Sequence, residues 1–173
     1  MRLIPFVFAL CAAAATAQST PAPAQRSGID VIAAYSGSWK TEIEHLDTKF
    51  SKAGKETTSL RNDCWRSGEY FACHQYVDEK PAVLLVFTYN PKDDVYHSYV
   101  IPPDGSESHM GTVLIKGNTW IFPWEDKDDA GKQYYFHVVN EWSSATTIEY
   151  RQEFSEDKVH WTVSGRGHET KLK

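Results

Sequence analysis

From residue 38 to the C-terminus the chain reads as ten short segments of alternating apolar and polar residues, each closed by Gly, Pro, Asn or Asp. Period two is the period of a strand with one face in a core and the other in water. The segments lie at about 38–46, 57–67, 70–79, 82–90, 94–101, 107–116, 118–125, 132–141, 144–154 and 158–167. The breaks carry turn chemistry: Asn90-Pro91-Lys92-Asp93, Pro103-Asp104-Gly105, a tight hairpin at Lys116-Gly117-Asn118 and a longer one at Asp128-Asp129-Ala130-Gly131. Connections this short join spatial neighbours, and a long antiparallel meander loses its exposed edges by closing on itself. The expected fold is therefore all-β, an antiparallel up-and-down β-barrel of about ten strands. A two-sheet sandwich is the competing arrangement, but its Greek-key connections ask for longer loops.

Only IDVIAAYSG has a helical period, with Ile29, Ile32 and Ala33 on one side and Gly37 where a helix stops. It predicts one short N-terminal helix.

The segment CWRSGEYFAC contains the two cysteines nearest a turn. With Gly68-Glu69 as a two-residue type II′ loop, Ser67 opposes Tyr70, Arg66 opposes Phe71, Trp65 opposes Ala72 and Cys64 opposes Cys73. Counting from the turn makes 64/73 a non-hydrogen-bonded pair, where side chains approach most closely, so a cross-strand disulfide is expected there. A redox site would need Cys-x-x-Cys at a helix start, and a structural zinc site would need four ligands in paired spacings.

The beginning of the chain agrees with that bond. MRLIPFVFALCAAAATAQ has Arg2, an apolar run from Leu3 to Ala15 and the small-residue pattern Ala15-Thr16-Ala17, the order of a secretory signal peptide and too short to span a membrane. The expected divisions are a signal peptide at 1–17, a disordered Pro/Ala/Ser linker at 18–28 and one barrel domain at 29–173. Cys11 follows Leu10 rather than a small residue, which argues against lipidation, and its removal leaves Cys64 and Cys73 as a pair in an oxidising compartment. The protein is expected to be exported, periplasmic or secreted. Without Arg2 the chain carries 17 basic against 23 acidic residues and has no basic stripe, so neither nucleic acid nor an anionic membrane is an expected partner.

No Walker loop, GxGxxG, GxSxG or HExxH is present, and the seven histidines, at 45, 74, 97, 109, 137, 160 and 168, fall one to a strand or turn. The acidic turn at 126–131 lacks calcium ligands at Ala130 and His137 and reads as a solvated hairpin. Glu42/Glu44 and Glu149/Glu153 share faces with Lys40 and Arg151, as an outward polar face would. No catalytic residue, metal or cofactor is expected.

Six Trp, nine Tyr and eight Phe require a packed interior or a lined cavity. If Trp39 points inward, alternation also turns in Thr41, Ile43 and His45; Val83, Leu85 and Phe87; Val95, His97 and Tyr99; Trp120, Phe122 and Trp124; Tyr134, Phe136 and Val138; Ile148, Tyr150 and Gln152; and Val159, Trp161 and Val163. These rings either fill the barrel or line a pocket.

Gly37-Ser38-Trp39 after a short helical turn resembles the opening of lipocalin and wider calycin barrels. With Tyr89-Asn90-Pro91 and Tyr96, Gly117-Asn118-Thr119-Trp120, and Phe154-Ser155-Glu156-Asp157 followed by Trp161, Gly165 and Thr170-Lys171, the chain resembles a bacterial domain-of-unknown-function family of calycin-like fold over about 29–173. The resemblance implies a lipocalin-like barrel in which Trp39 packs against a basic residue from a late strand, Arg166 or Lys171, and implies no activity. The expected role is binding a small hydrophobic or aromatic molecule, with Trp39, His45, Arg66, His97, Tyr99, Trp120, Trp124, Tyr134, Phe136 and Tyr150 as ligand-binding residues. Two other readings are a cell-envelope interaction module using Trp65, Tyr76 or Trp142 outside, and an enzyme with His97 or His45 as base, for which no second titratable group is identifiable.

Overall fold

The computed structural model describes residues 28–172. The expected signal segment and all of the expected linker except Gly28 lie outside the described residues. A 3₁₀ helix, Gly28–Tyr35, precedes ten strands: β1 Gly37–His45, β2 Gly54–Ser67, β3 Tyr70–Val77, β4 Lys80–Asn90, β5 Val95–Ile101, β6 His109–Lys116, β7 Thr119–Lys127, β8 Gln133–Ser144, β9 Thr147–Ser155 and β10 Thr162–Lys171. Each pairs antiparallel with its sequence neighbour, and β1 pairs with β10 to close the barrel. Along that seam the backbones approach so closely at Gly167 that a Cβ there would lie 2.0 Å from the Glu42 carbonyl oxygen.

The hairpin register is the expected one, from Ser67↔Tyr70 to Cys64↔Cys73. Gly68 has φ +57°, as the first residue of a type II′ turn requires. Cys64 and Cys73 form a disulfide with Cα atoms 4.0 Å apart, a bond at home in an oxidising compartment. The outward ion pairs also form, Lys40 with Glu42 at 2.9 Å and Arg151 with Glu141 at 2.7 Å and Glu153 at 2.9 Å.

Two strand boundaries and the facing of one strand need correction. The third strand ends at Val77, because Asp78 and Glu79, with φ of 48° and 59°, form the tight turn themselves; Asp78 is held by Ser59, whose N–H donates to its carboxylate at 2.8 Å. The last strand starts at Thr162 and runs on to Lys171. Ser155 Oγ accepts the N–H of Lys158 at 2.9 Å, and Asp157 Oδ1 accepts those of Val159 and His160 at 2.8 Å, so donors a ladder would use are held in a loop. Val159 is consequently 71% exposed, Trp161 stacks on His137, and Val163 opposes outward Glu153. On β5, Phe87 opposes Ser98 and Tyr89 opposes Tyr96, so Tyr96, Ser98 and Val100 point inward while Val95, His97 and Tyr99 point outward.

The helix closes one end of the barrel. Ile29, Val31 and Ile32 are buried, and the Tyr35 ring lies against Trp120 and Trp142 with centroids 5.2 and 5.8 Å apart. Trp142, one of the proposed outward aromatics, is thus an inward core residue, opposing Ile148. Trp39 is fully buried beneath, donating from Nε1 to the Tyr35 carbonyl at 3.0 Å, with Lys171 Nζ 5.1 Å from its ring centroid. Of Arg166 and Lys171, it is Lys171 that meets this tryptophan.

Candidate functional site

Above the helix end, the barrel holds a cavity of about 1360 Å³ that is open to solvent and extends to exposed residues such as Met110 and Trp124. A ten-strand circumference is wider than one that side chains alone fill. Its wall is largely apolar, with Leu60, Leu85, Phe87, Phe122 and Val138, and Ser98 and Gln152 stand across the ladder from Phe87 and Val138. Among the described residues no three His, Cys, Asp or Glu side chains converge as a metal site.

The end opposite the helix carries the longer loops and is partly capped by the β1–β2 loop. Phe50 packs edge-on against Tyr134, Phe136 and Phe154, with centroids 4.8, 5.0 and 4.9 Å away. Lys49 anchors the same loop, donating to Asp128 at 2.7 Å and also to the Tyr134 hydroxyl. Asp128 additionally accepts the N–H groups of Ala130 and Lys132, so the acidic turn is committed to its own hairpin and to Lys49.

One side of the barrel is incomplete. The β6–β7 ladder consists of Lys116↔Thr119, Ile115↔Trp120 and Leu114↔Ile121, and then stops. In a two-residue hairpin alternate residues direct their N–H across the pair, here Thr119, Ile121 and then position 123. Position 123 is Pro, which has no N–H to donate. From the last ladder pair onward, residues that alternate outward, Leu114, Thr112 and Met110 on β6 and Pro123 and Glu125 on β7, border the cavity. The interior therefore reaches the outer surface through a slot between these strands.

The floor is polar. Thr41 on β1 opposes Glu169 on β10, Tyr150 on β9 opposes Asn140 on β8, and all four line the cavity with Tyr35. Asn140 Nδ2 donates to the Tyr35 hydroxyl at 2.5 Å. Among the described residues, Thr41 Oγ1, Asn140 Oδ1 and Glu169 Oε2 are enclosed without hydrogen-bond partners, as are the indole nitrogens of Trp120 and Trp142 behind Tyr35. Burial alone raises the Glu169 carboxyl to about 7. Burial, reinforced by the Glu169 charge, holds the Tyr35 and Tyr150 hydroxyls well above the usual tyrosine range.

The expected site residues separate into groups. Trp124 and Phe136, stacked at 5.4 Å, line the mouth, and Tyr150 lines the floor. His97 points outward and borders the cavity beside Thr112 at the slot. Trp39 and Trp120 are fully buried behind the floor, and Tyr134 is buried against Lys49. His45 lies near the rim, 3.4 Å from Glu56. Tyr99 is on the outer face, correcting its expected inward position. Arg66 stands at the helix end, pairing with Asp30 at 2.5 Å and donating to the Gly68 carbonyl at 3.0 Å, so it fastens the helix instead of standing alone at the mouth. Sequence reasoning missed Glu169 and Asn140. Glu169 continues the Gly165, Gly167 alternation on the inward face, paired across the seam with Thr41, and would have emerged had the last strand been extended to Lys171.

No family model matches the chain. No curated protein matches it either. Among solved structures, it is similar to "Crystal Structure of Rv2717c from M. tuberculosis", with a TM-score of 0.50 and 10% sequence identity, covering 88% of this chain and 99% of that one. This likeness supports the barrel fold.

Proposed function

We propose that this protein is an exported lipocalin-like barrel of the calycin-like family its motifs resemble, and that it binds a small hydrophobic or aromatic molecule without transforming it. The observation that carries the reading is the cavity of about 1360 Å³, whose wall is largely apolar, with Leu60, Leu85, Phe87, Phe122 and Val138, and carries a few polar side chains such as Ser98 and Gln152 among them. Export is supported by the leader-like first residues and the Cys64–Cys73 bond. A binding role is favoured over catalysis because, among the described residues, Glu169 Oε2 is enclosed with no hydrogen bond to a nucleophile or to a second acid–base group.

Titration with a neutral apolar fluorophore such as N-phenyl-1-naphthylamine tests the reading. Saturable enhancement of the probe with quenching of tryptophan emission is expected, as is its loss in Val138→Trp, which places a large ring in the middle of the cavity. Absence of saturable binding to the wild type would overturn it. Native mass spectrometry of protein isolated from its own cells, with a co-purified mass removed by denaturation, identifies the occupant.

A further inference from the structure

Resting on this binding reading, we infer that the cavity selects a cation: an aromatic or alicyclic body carrying a protonated amine, its ammonium against Glu169 and its body between Leu85, Phe87, Phe122 and Val138. The first reason is the placement of Glu169. Its register against Thr41 and Ile148 turns it into the barrel, where it lines the cavity. There it makes no ion pair or hydrogen bond among the described residues, and its Oε2 is enclosed. Placing an unpaired carboxylate in a protein interior costs several kcal/mol. The folded chain gains nothing visible in return, since the Tyr35–Asn140 and Asn62–Gln75 hydrogen bonds form without it.

Among the described residues no cation forms an ion pair with Glu169. Thr41 faces it from β1, and Tyr35 from the helix and Tyr150 from β9 sense its charge. Glu56 on β2 acts on the same Tyr150 and adds negative charge. Lys171, next along the inward face of β10, directs its Nζ to the Trp39 ring and the Ala34 carbonyl. Among the described residues around the cavity, the charged side chains are Glu125, Asp126, Glu169 and Lys158, joined by the histidines His97, His109 and His137, and Lys158 pairs with Glu125 at 2.8 Å. A chain of net charge −5 adds a long-range field that draws cations and repels anions.

Protons balance simply. With the Glu169 carboxyl at about 7, an ammonium ligand that binds at or below that pH displaces the carboxyl proton to solvent, one that binds well above it meets a carboxylate already formed, and either complex holds one carboxylate and one ammonium. Binding therefore releases protons near neutral pH and strengthens as pH rises through the carboxyl midpoint, as long as the amine stays charged.

The test compares 1-naphthylmethylamine with its neutral analogue 1-naphthylmethanol by isothermal titration calorimetry on the intact protein, in buffers of different ionisation enthalpy. At about pH 8 the amine is expected to bind at least about tenfold more tightly than the alcohol. At about pH 5.5 the gap should narrow to within about threefold, and proton release should be measurable near pH 7. Glu169→Gln, which keeps the shape, should lose the preference for the amine over the alcohol. Equal affinities at pH 8, or a preference that survives in Glu169→Gln, overturn the inference while leaving the binding cavity intact. Failure of both probes to bind the wild type overturns the cavity reading and this inference together.

Discussion

Replacing Glu169 by Gln should make the protein more stable, and only above acidic pH. The carboxyl has an ordinary value of 4.5 and is raised by burial to about 7 in the fold. Below pH 4.5 it is protonated in both the folded and unfolded chain, and Gln and Glu are equivalent there. Between 4.5 and 7 the unfolded chain has released a proton that the folded chain still holds, so wild-type stability falls with rising pH; above 7 the loss is complete and constant. At about 1.4 kcal/mol per pH unit between the two values, the full loss is about 3 kcal/mol. Urea unfolding of both proteins in parallel, with the disulfide intact, isolates this group because every other titration cancels in the difference. Glu169→Gln should match the wild type at about pH 4 and exceed it by about 3 kcal/mol at about pH 8, or roughly 6–12 °C in melting temperature. Two stability curves that run parallel across this range would refute the reasoning, since Glu169 would then titrate as a solvated carboxyl.

Three other perturbations probe the hairpin, the seam and the cap. Changing Cys64 and Cys73 together to Ala should lower stability by about 2–3 kcal/mol, the chain entropy of a short loop, read from the urea midpoint. Gly167→Ala forces a methyl group against the Glu42 carbonyl oxygen, a backbone atom that cannot swing aside; a loss of at least about 3 kcal/mol, or failure to fold, is expected by thermal melting. Phe50→Ala removes edge-on contacts with Tyr134, Phe136 and Phe154 from a residue already 39% exposed; dissociation of a bound fluorophore, followed by stopped flow, should quicken several-fold, with a stability change of no more than about 1–2 kcal/mol.

The architecture was legible because period-two alternation and turn residues are local signals. The Cys64–Cys73 hairpin was legible down to individual pairs, because a two-residue loop sets register by counting. Facing was harder wherever both parities are apolar. In Val95-Tyr96-His97-Ser98-Tyr99 either set of alternate residues suits an interior, and only pairing with Phe87 and Tyr89 decides between them. The floor was hidden for a different reason. Ser155 and Asp157 capture backbone donors with their side chains, which delays β10, so a strand placed four residues early stops short of Glu169. The slot at Pro123 was visible as a residue without a donor, but its effect depends on which neighbour the missing N–H would have faced.

Barrel closure by β1 and β10 also orders events in time. The seam joins the first strand to the last, so Gly165, Gly167, Glu169 and Lys171 reach their partners only when nearly the entire chain is available. Contacts of such long sequence separation form slowly, after the local hairpins. Until then β1 and β9 present two open edges on one growing sheet, the state most exposed to mispairing with other chains. The carboxyl of the floor and the lysine over Trp39 arrive with the same strand. A ligand drawn to Glu169 would thus reward only the finished barrel, and chains cut short before β10 should neither capture it nor remain in solution.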